Sequence, residues 1–226
     1  MPAAWLKVPI EQSGFISDAA SLGFCYHHAV DNHAMLVQWL QEGKTRIADY
    51  ASHQVGVCGV VLKEDTQEIL VTKDRHKISK WKFPGGLSDY AEDIADTAVR
   101  EVREETGIKT EFRSLLAIRQ QHHQPHAFDC SDLYFVCRLS PLSFAISPCE
   151  HEILECCWMN IDYLATSKEA TLLTERVTGL LLHGLKHGFE SIDLQMDELP
   201  AVYDGLTYKL FSRNVEYQQY MNKTLG

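Results

Sequence analysis

The sequence predicts an α/β domain in which helices cover a mixed sheet, and three observations carry that reading. Val-rich strand patterns begin near His53, a sharply delimited helix ends at Thr106, and a second helical stretch, Thr171 to His187, comes after three further strand-like runs. With 226 residues, 45% hydrophobic and 23% charged, the chain is long enough for one large domain or one and a half. Lys plus Arg total 21 against 31 Asp plus Glu, a formal charge of -10, which argues against nonspecific binding to a nucleic-acid backbone. An anionic ligand therefore needs a local device. Apolar runs are broken by charges well before a membrane-spanning length, and the opening residues carry Glu11, so neither a membrane span nor a secretory signal is expected. Seven cysteines, an odd number including the adjacent Cys156 and Cys157, fit no disulfide framework and point to a reducing compartment, the cytoplasm or nucleus.

Taken in order, residues 1–50 read as a partial N-terminal segment with Gly14-Phe15, Gly23-Phe24 and His27-His28. Its apolar Met35, Leu36, Trp39 and Leu40 predict a helix from Asp31 or Asn32 to Gly43. One short helix cannot bury a core, so the segment is expected to pack on the main domain or to belong to a larger unit. Residues 51–195 are expected to form that main domain and 196–226 a C-terminal extension. His53 to Lys63 and Glu68 to Asp74 read as a strand pair, and a helix is predicted from about Asp89 to Thr106. Strands over Thr110 to His122 and Ser131 to Leu139, a short one near Ile153 to Asn160, and the helix Thr171 to His187 complete the order. Asp89 with Glu92 resembles a capping box, and Gly107-Ile108 is a C-terminal stop. Gly56 and Gly59 read as small residues in a closely packed strand.

Chemistry concentrates in Trp81 to Ile108. Ile94, Ala98 and Val102 form the packing stripe, which leaves Glu101, Glu104 and Glu105 at helix spacing i, i+3 and i+4. Acids in the last turns oppose the helix dipole, and two carboxylates at 6 Å repel by about 3 kcal/mol at an effective dielectric near 20. If sheltered, such a trio protonates or captures a cation, and hard oxygen donors select Mg²⁺, Mn²⁺ or Ca²⁺ over zinc. Arg100 offers a fork that holds a carboxylate in one orientation, and Gly85-Gly86 lets a backbone carbonyl approach an ion. The chemistry that fits is attack of water on phosphorus. An HExxH helix, a P-loop and a GxSxG elbow are absent from the sequence.

Gly86, Glu92, Arg100, Glu101, Val102, Glu104, Glu105, Gly107 and Ile108 meet G-x5-E-x7-R-E-U-x-E-E-x-G-U without exception, and this resembles the nudix box. Further stretches, among them WLKVP, WKFPGG and SDLYFVCRLSPLSF, resemble the nudix subgroup that includes plant ADP-ribose and NADH pyrophosphatases. The resemblance implies a nudix α/β/α sandwich with a mixed sheet, preceded by a short N-terminal segment. It also implies an Mg²⁺ or Mn²⁺ dependent pyrophosphohydrolase of nucleoside diphosphate derivatives, ADP-ribose or NADH first. The metal ligands it implies are Glu101, Glu104 and Glu105 with the Gly85 carbonyl, oriented by Arg100 and supported by Glu92. Of Glu150, Glu152 and Glu155 in a later loop, Glu152 is the choice for a further catalytic glutamate. Arg75, His76, Lys77, Lys80, Lys82 and Arg119 are available for phosphate; Phe83, Phe128, Tyr134 and Phe135 for stacking on a base. Of these, Arg119 and Phe83 are chosen as substrate-binding residues. The cluster Gln120, Gln121, His122, His123 and His126 reads as ligand contact or plain surface. The competing reading is a nudix fold kept for binding or regulation, in control of cell proliferation, with little turnover. The partner is a small nucleotide, without nucleic acid or membrane, and the sequence leaves a homodimer open.

Overall fold

A computed structural model describes residues 2–76, 80–124 and 130–214. The chain divides into two compact units, Met1–His53 and Gln54–Gly226. In the first, β1 (Ala3–Pro9), α1 (Phe15–Ser21), β2 (Cys25–Val30) and β3 (His33–Trp39) form an antiparallel sheet in the order β1-β3-β2 with one short helix. Residues 33–39 are thus a strand, not the helix that their apolar spacing predicts. Asp31 adopts φ 50°, a left-handed turn conformation, and reverses the chain from β2 into β3. As the central strand, β3 satisfies its backbone on both edges and buries Leu36, which is 1% exposed.

The second unit is built on a mixed sheet ordered β7-β8-β4-β5-β9, with β6 paired to β4. Its strands are β4 (His53–Lys63), β5 (Glu68–Asp74), β6 (Gly85–Leu87), β7 (Thr110–Gln121), β8 (Ser131–Pro141) and β9 (Ile153–Asn160). Three helices cover it: α2 (Ile94–Thr106), α3 (Ile161–Thr166) and α4 (Leu172–His187). The layering arises from the two-residue period of β4. Cys58, Val60 and Leu62 join the core under α3 and α4 with Ile161, Leu164, Val177 and Leu181. Val57 and Val61 face the other way, into the core under α2 with Ala98 and Val102. A Cβ on Gly59 would stand 2.4 Å from Val102 Cγ2, so glycine sets how closely α2 lies on the sheet. Asn160 caps α3 by accepting from Asp162 N and Tyr163 N, and Thr171 caps α4 by accepting from Thr174 N.

Residues 195–212 form an antiparallel hairpin, β10 (Gln195–Pro200) and β11 (Thr207–Ser212), which the sequence leaves unplaced. Leu194 and Leu115 exchange backbone hydrogen bonds of 2.9 and 3.0 Å, and Phe211 meets Phe112 edge-on at 6.3 Å. Among the described residues, no helix is long and apolar enough to cross a membrane.

Candidate active site

The site hangs on α2. Its apolar stripe is buried, with Ala98 and Val102 fully inaccessible, and Gly107 ends it at φ 74° with its N–H donating to the Arg103 carbonyl. The helix begins at Ile94, five residues later than the sequence predicts. The Asp89 N–H does donate to Glu92 Oε2 at 3.0 Å, but this closes a separate turn, because Ala91 sits at φ 60° and interrupts any helix there.

That early turn delivers Glu92 to Arg100. The guanidinium donates from Nε and NH2 to the two Glu92 oxygens, both at 2.8 Å, and from NH2 to the Leu87 carbonyl at 3.0 Å. Its NH1 donates to Glu101 at 2.7 Å and to Glu104 at 3.1 Å. Arg100 is therefore the hub that ties three box acids to the Gly-rich strand β6. Those hydrogen bonds hold the Glu92 carboxyl at about 2, below its ordinary value. Thr97, fully buried, adds a hydroxyl donor to Glu92 at 2.9 Å.

Toward the sheet, a cleft of about 470 Å³ opens between α2 and β6. Glu101, Glu105, Gly85, Gly86, Lys82 and Asp74 line it, and Glu152 closes one side. Glu105 is 5% exposed and accepts from the Gly85 N–H at 3.1 Å. The only cation within ion-pair reach among the described residues is Lys82, 3.7 Å away and shared with Asp74 at 2.8 Å. Burial wins, and the Glu105 carboxyl is pushed up to about 7. Glu101 is also raised by burial, since Arg100 divides its charge among several acids. A Cβ on Gly86 would stand 2.6 Å from the Glu101 carboxylate, so glycine is what lets that acid lie against the strand.

Glu104 departs from the predicted convergence. Its side chain is 60% exposed and lines the outer face with Glu92 and Arg103, not the cleft. On a helix, Glu104 and Glu105 lie on opposite sides of Glu101, and Arg100 holds Glu104 outward. Among the described residues, no three His, Cys, Asp or Glu side chains stand as a preformed metal group. The fit to a hard cation rests instead on Glu101 and Glu105, two sheltered carboxylates with fewer positive partners than charge balance asks for.

Other predicted residues separate. Glu152 is at the cleft, and its carbonyl accepts from the Arg75 N–H at 2.8 Å. Glu155 instead pairs with Lys73 at 3.4 Å, and Glu150 does not line the cleft. His76 lines the cleft, while the exposed Lys80 does not. Phe83 is 2% exposed within the core, so its ring offers no open face to a base, which corrects its assignment as a stacking residue. Phe135 is half-buried against the core under α2. Arg119 pairs with Asp132 and lies over the Tyr134 ring at 4.6 Å, beside a different cleft. His122 bonds Ser131 at 2.8 Å. Lys77, His126 and Phe128 lie outside the described residues. Two features escape the sequence: Asp74 as a cleft acid, and Lys82 as its partner. Asp74 ends β5, and Thr72 two residues earlier exchanges backbone hydrogen bonds of 2.9 Å with Lys82, which brings both side chains to one edge. An acid at the end of a buried strand was the available signal.

The NUDIX domain description matches residues 52–177, and that of the Nudix hydrolase domain matches residues 1–40. The chain is 58% identical over 214 residues to "Nucleoside diphosphate-linked moiety X motif 6" of Mus musculus, covering 94% of this chain and 68% of that one. Its Xenopus laevis namesake is 54% identical over 205 residues, covering 90% and 94%. "Nudix hydrolase 8" of Arabidopsis thaliana is 42% identical over 219 residues, covering 94% and 58%. Among solved structures, a NUDIX hydrolase from Nitrosomonas europaea superposes with a TM-score of 0.51 at 22% identity, covering 68% of this chain and 99% of that one, which supports the fold. With the box complete in sequence and placed on a helix beside a Gly-rich strand, the chain belongs to the Nudix hydrolase family.

Proposed function

We propose that this Nudix hydrolase cleaves the pyrophosphate bond of a nucleoside diphosphate linked to another moiety, with ADP-ribose or NADH as first-choice substrates and Mg²⁺ or Mn²⁺ as the required ion. The observation that carries the reading is the sheltered, under-neutralised pair Glu101 and Glu105 at the Gly85-Gly86 strand. These two, with the Gly85 carbonyl as a further donor, would hold the ion, and Glu104 would join them only on release from Arg100. Bound there, a divalent cation supplies neutralisation of diphosphate oxygens and a more acidic water. Glu105 lines the same cleft and is placed to take a proton as water attacks phosphorus and the bridging P–O bond breaks. Lys82 presents an ammonium to the anionic substrate, and Glu152 lines the same cleft from the turn before β9. Arg100 acts on the geometry of Glu101, and Glu92 on that of Arg100. Seven free cysteines support a reducing compartment, the cytoplasm or nucleus, as the place of action.

The test is incubation of the purified chain with ADP-ribose, NADH, FAD and coenzyme A, with and without Mn²⁺, beside Glu101→Gln. Metal-dependent release of nucleoside monophosphate, lost in the variant, is the expected result. Binding without product under every condition would overturn the enzymatic reading and favour a binding module.

A further inference from the structure

We infer that a second cleft, beside the carboxylate cleft and joined to it by Lys82, binds a phosphate monoester on the nucleoside half of the substrate; the inference rests on the pyrophosphohydrolase reading above. The cleft measures about 570 Å³ and is lined by Lys82, Arg119, Arg176, Tyr134, Thr171 and leucines of the first turn of α4. It sets three cations against an apolar floor with no carboxylate among the described lining residues, on a chain whose formal charge is -10; Lys82 and Arg119 are paired by Asp74 and Asp132, and Arg176 has no such partner among the described residues. This is the local device that an anionic ligand needs here.

Each cation is placed by a separate element. The Trp81 carbonyl accepts from the Thr171 N–H at 3.0 Å and from the Thr174 hydroxyl at 3.2 Å, which pins the start of α4 beside Lys82. Arg176 comes one turn later, exposed and without an ion-pair partner among the described residues. Arg119 is held over the Tyr134 ring by Asp132, and its Nε–H is buried with no hydrogen-bond acceptor among the described residues. An unmatched buried donor is costly, so Arg119 keeps hydrogen-bonding capacity that its present partner Asp132 does not use up. The first N–H groups of the sixteen-residue α4 add the positive end of a helix dipole.

The open guanidinium fork of Arg176, the remaining donors of Arg119 and a helix start suit a dianion with three acceptor oxygens better than a neutral base. Because Lys82 lines both clefts, an anion in the second is within a nucleoside's reach of a diphosphate in the first. A nucleoside diphosphate derivative with one additional ribose phosphate would therefore occupy both. Arg176 is the specificity-determining residue.

NADPH and NADH differ by that one phosphate and are the probes. Their fluorescence is titrated against the full chain in EDTA, which leaves the second cleft intact and stops metal-dependent turnover. The expected result is NADPH binding tighter by roughly tenfold or more, the scale of a charge-assisted contact. In Arg176→Gln that ratio falls to within about twofold of one, and Arg176→Lys restores part of it. Equal affinities in the wild type, or a ratio unmoved by Arg176→Gln, would overturn the inference. Turnover of the same pair in Mn²⁺ separates the two readings. Preference in binding with no hydrolysis retains the second cleft and overturns the enzyme; hydrolysis of both without preference does the reverse.

Discussion

Glu92 and Glu105 are acids of one sequence motif driven in opposite directions by their surroundings. On the outer side of α2, Glu92 receives both arms of Arg100, a backbone N–H and a hydroxyl, and its carboxyl is held at about 2. On the inner side, Glu105 is buried with a distant Lys82 and one backbone donor, and its carboxyl rises to about 7. The difference teaches where structure ends and chemistry begins. A fully satisfied carboxylate holds a neighbour in place, whereas an under-satisfied one retains the capacity to bind a cation or take a proton.

The largest effect that tests this contrast is on turnover. Glu105→Gln is expected to lower metal-dependent kcat by roughly 10²–10⁴-fold, the range for losing a positioned acid–base group. A steady-state assay showing less than a tenfold loss would make Glu105 as structural as Glu92. Next comes stability against pH without metal. The folded Glu105 value lies above its ordinary 4.5, so the folded state binds the extra proton. Wild-type stability therefore falls as pH rises from 4.5 through about 7 and levels off above it. At about 1.4 kcal/mol per pKa unit, the loss relative to Glu105→Gln is on the order of 3 kcal/mol. The Glu92 contribution has the opposite sign: present above 4.5, lost as pH falls through about 2, and absent from Glu92→Gln. Denaturant melts in EDTA across this range check both, and parallel curves for wild type and Glu105→Gln would break the comparison.

Much of this was legible before any coordinates. β4, β5 and β9 have the bounds that their composition predicts, because each pairs within one sheet and local pattern agrees with tertiary demand. Arg100, Glu101, Glu104 and Glu105 were legible because one helix fixes their spacing. What failed was set by single backbone angles: Asp31 turned an apparent helix into a strand, and Ala91 delayed the start of α2. Phe83 failed for another reason. Its neighbour Lys82 reaches the cleft, so the alternation of the extended segment sends the ring into the core. Nor could spacing show that Arg100 holds Glu104 outward while Glu105 is buried, since both are within about one turn of Glu101.

A third test moves to the hub. Arg100→Lys keeps the charge but loses the fork, so one ammonium must replace contacts to Glu92, Glu101, Glu104 and Leu87. The expected cost is about 10–100-fold in metal affinity or kcat, the scale for a group that orients a ligand. Metal-dependent melting separates this from unfolding, because the apo melting temperature should move less than the metal-induced shift. Loss of apo stability alone would make Arg100 a structural residue.

The smallest effect lies in the turn that serves that hub. Ala91 at φ 60° bears the steric cost of a left-handed Cβ, and it does so between Asp89 and Glu92, whose mutual hydrogen bond needs the turn. Ala91→Gly relieves the strain but adds freedom to the unfolded chain, so the two terms oppose each other. Relief should win by about 0.5–1 kcal/mol, because a left-handed alanine costs about 1–2 kcal/mol while glycine's added freedom costs less. Turnover should stay unchanged, since Glu92 still meets Arg100. A destabilised Ala91→Gly with reduced kcat would mean that the turn is held rigid for the site, and that even the fully satisfied side of α2 bears directly on catalysis.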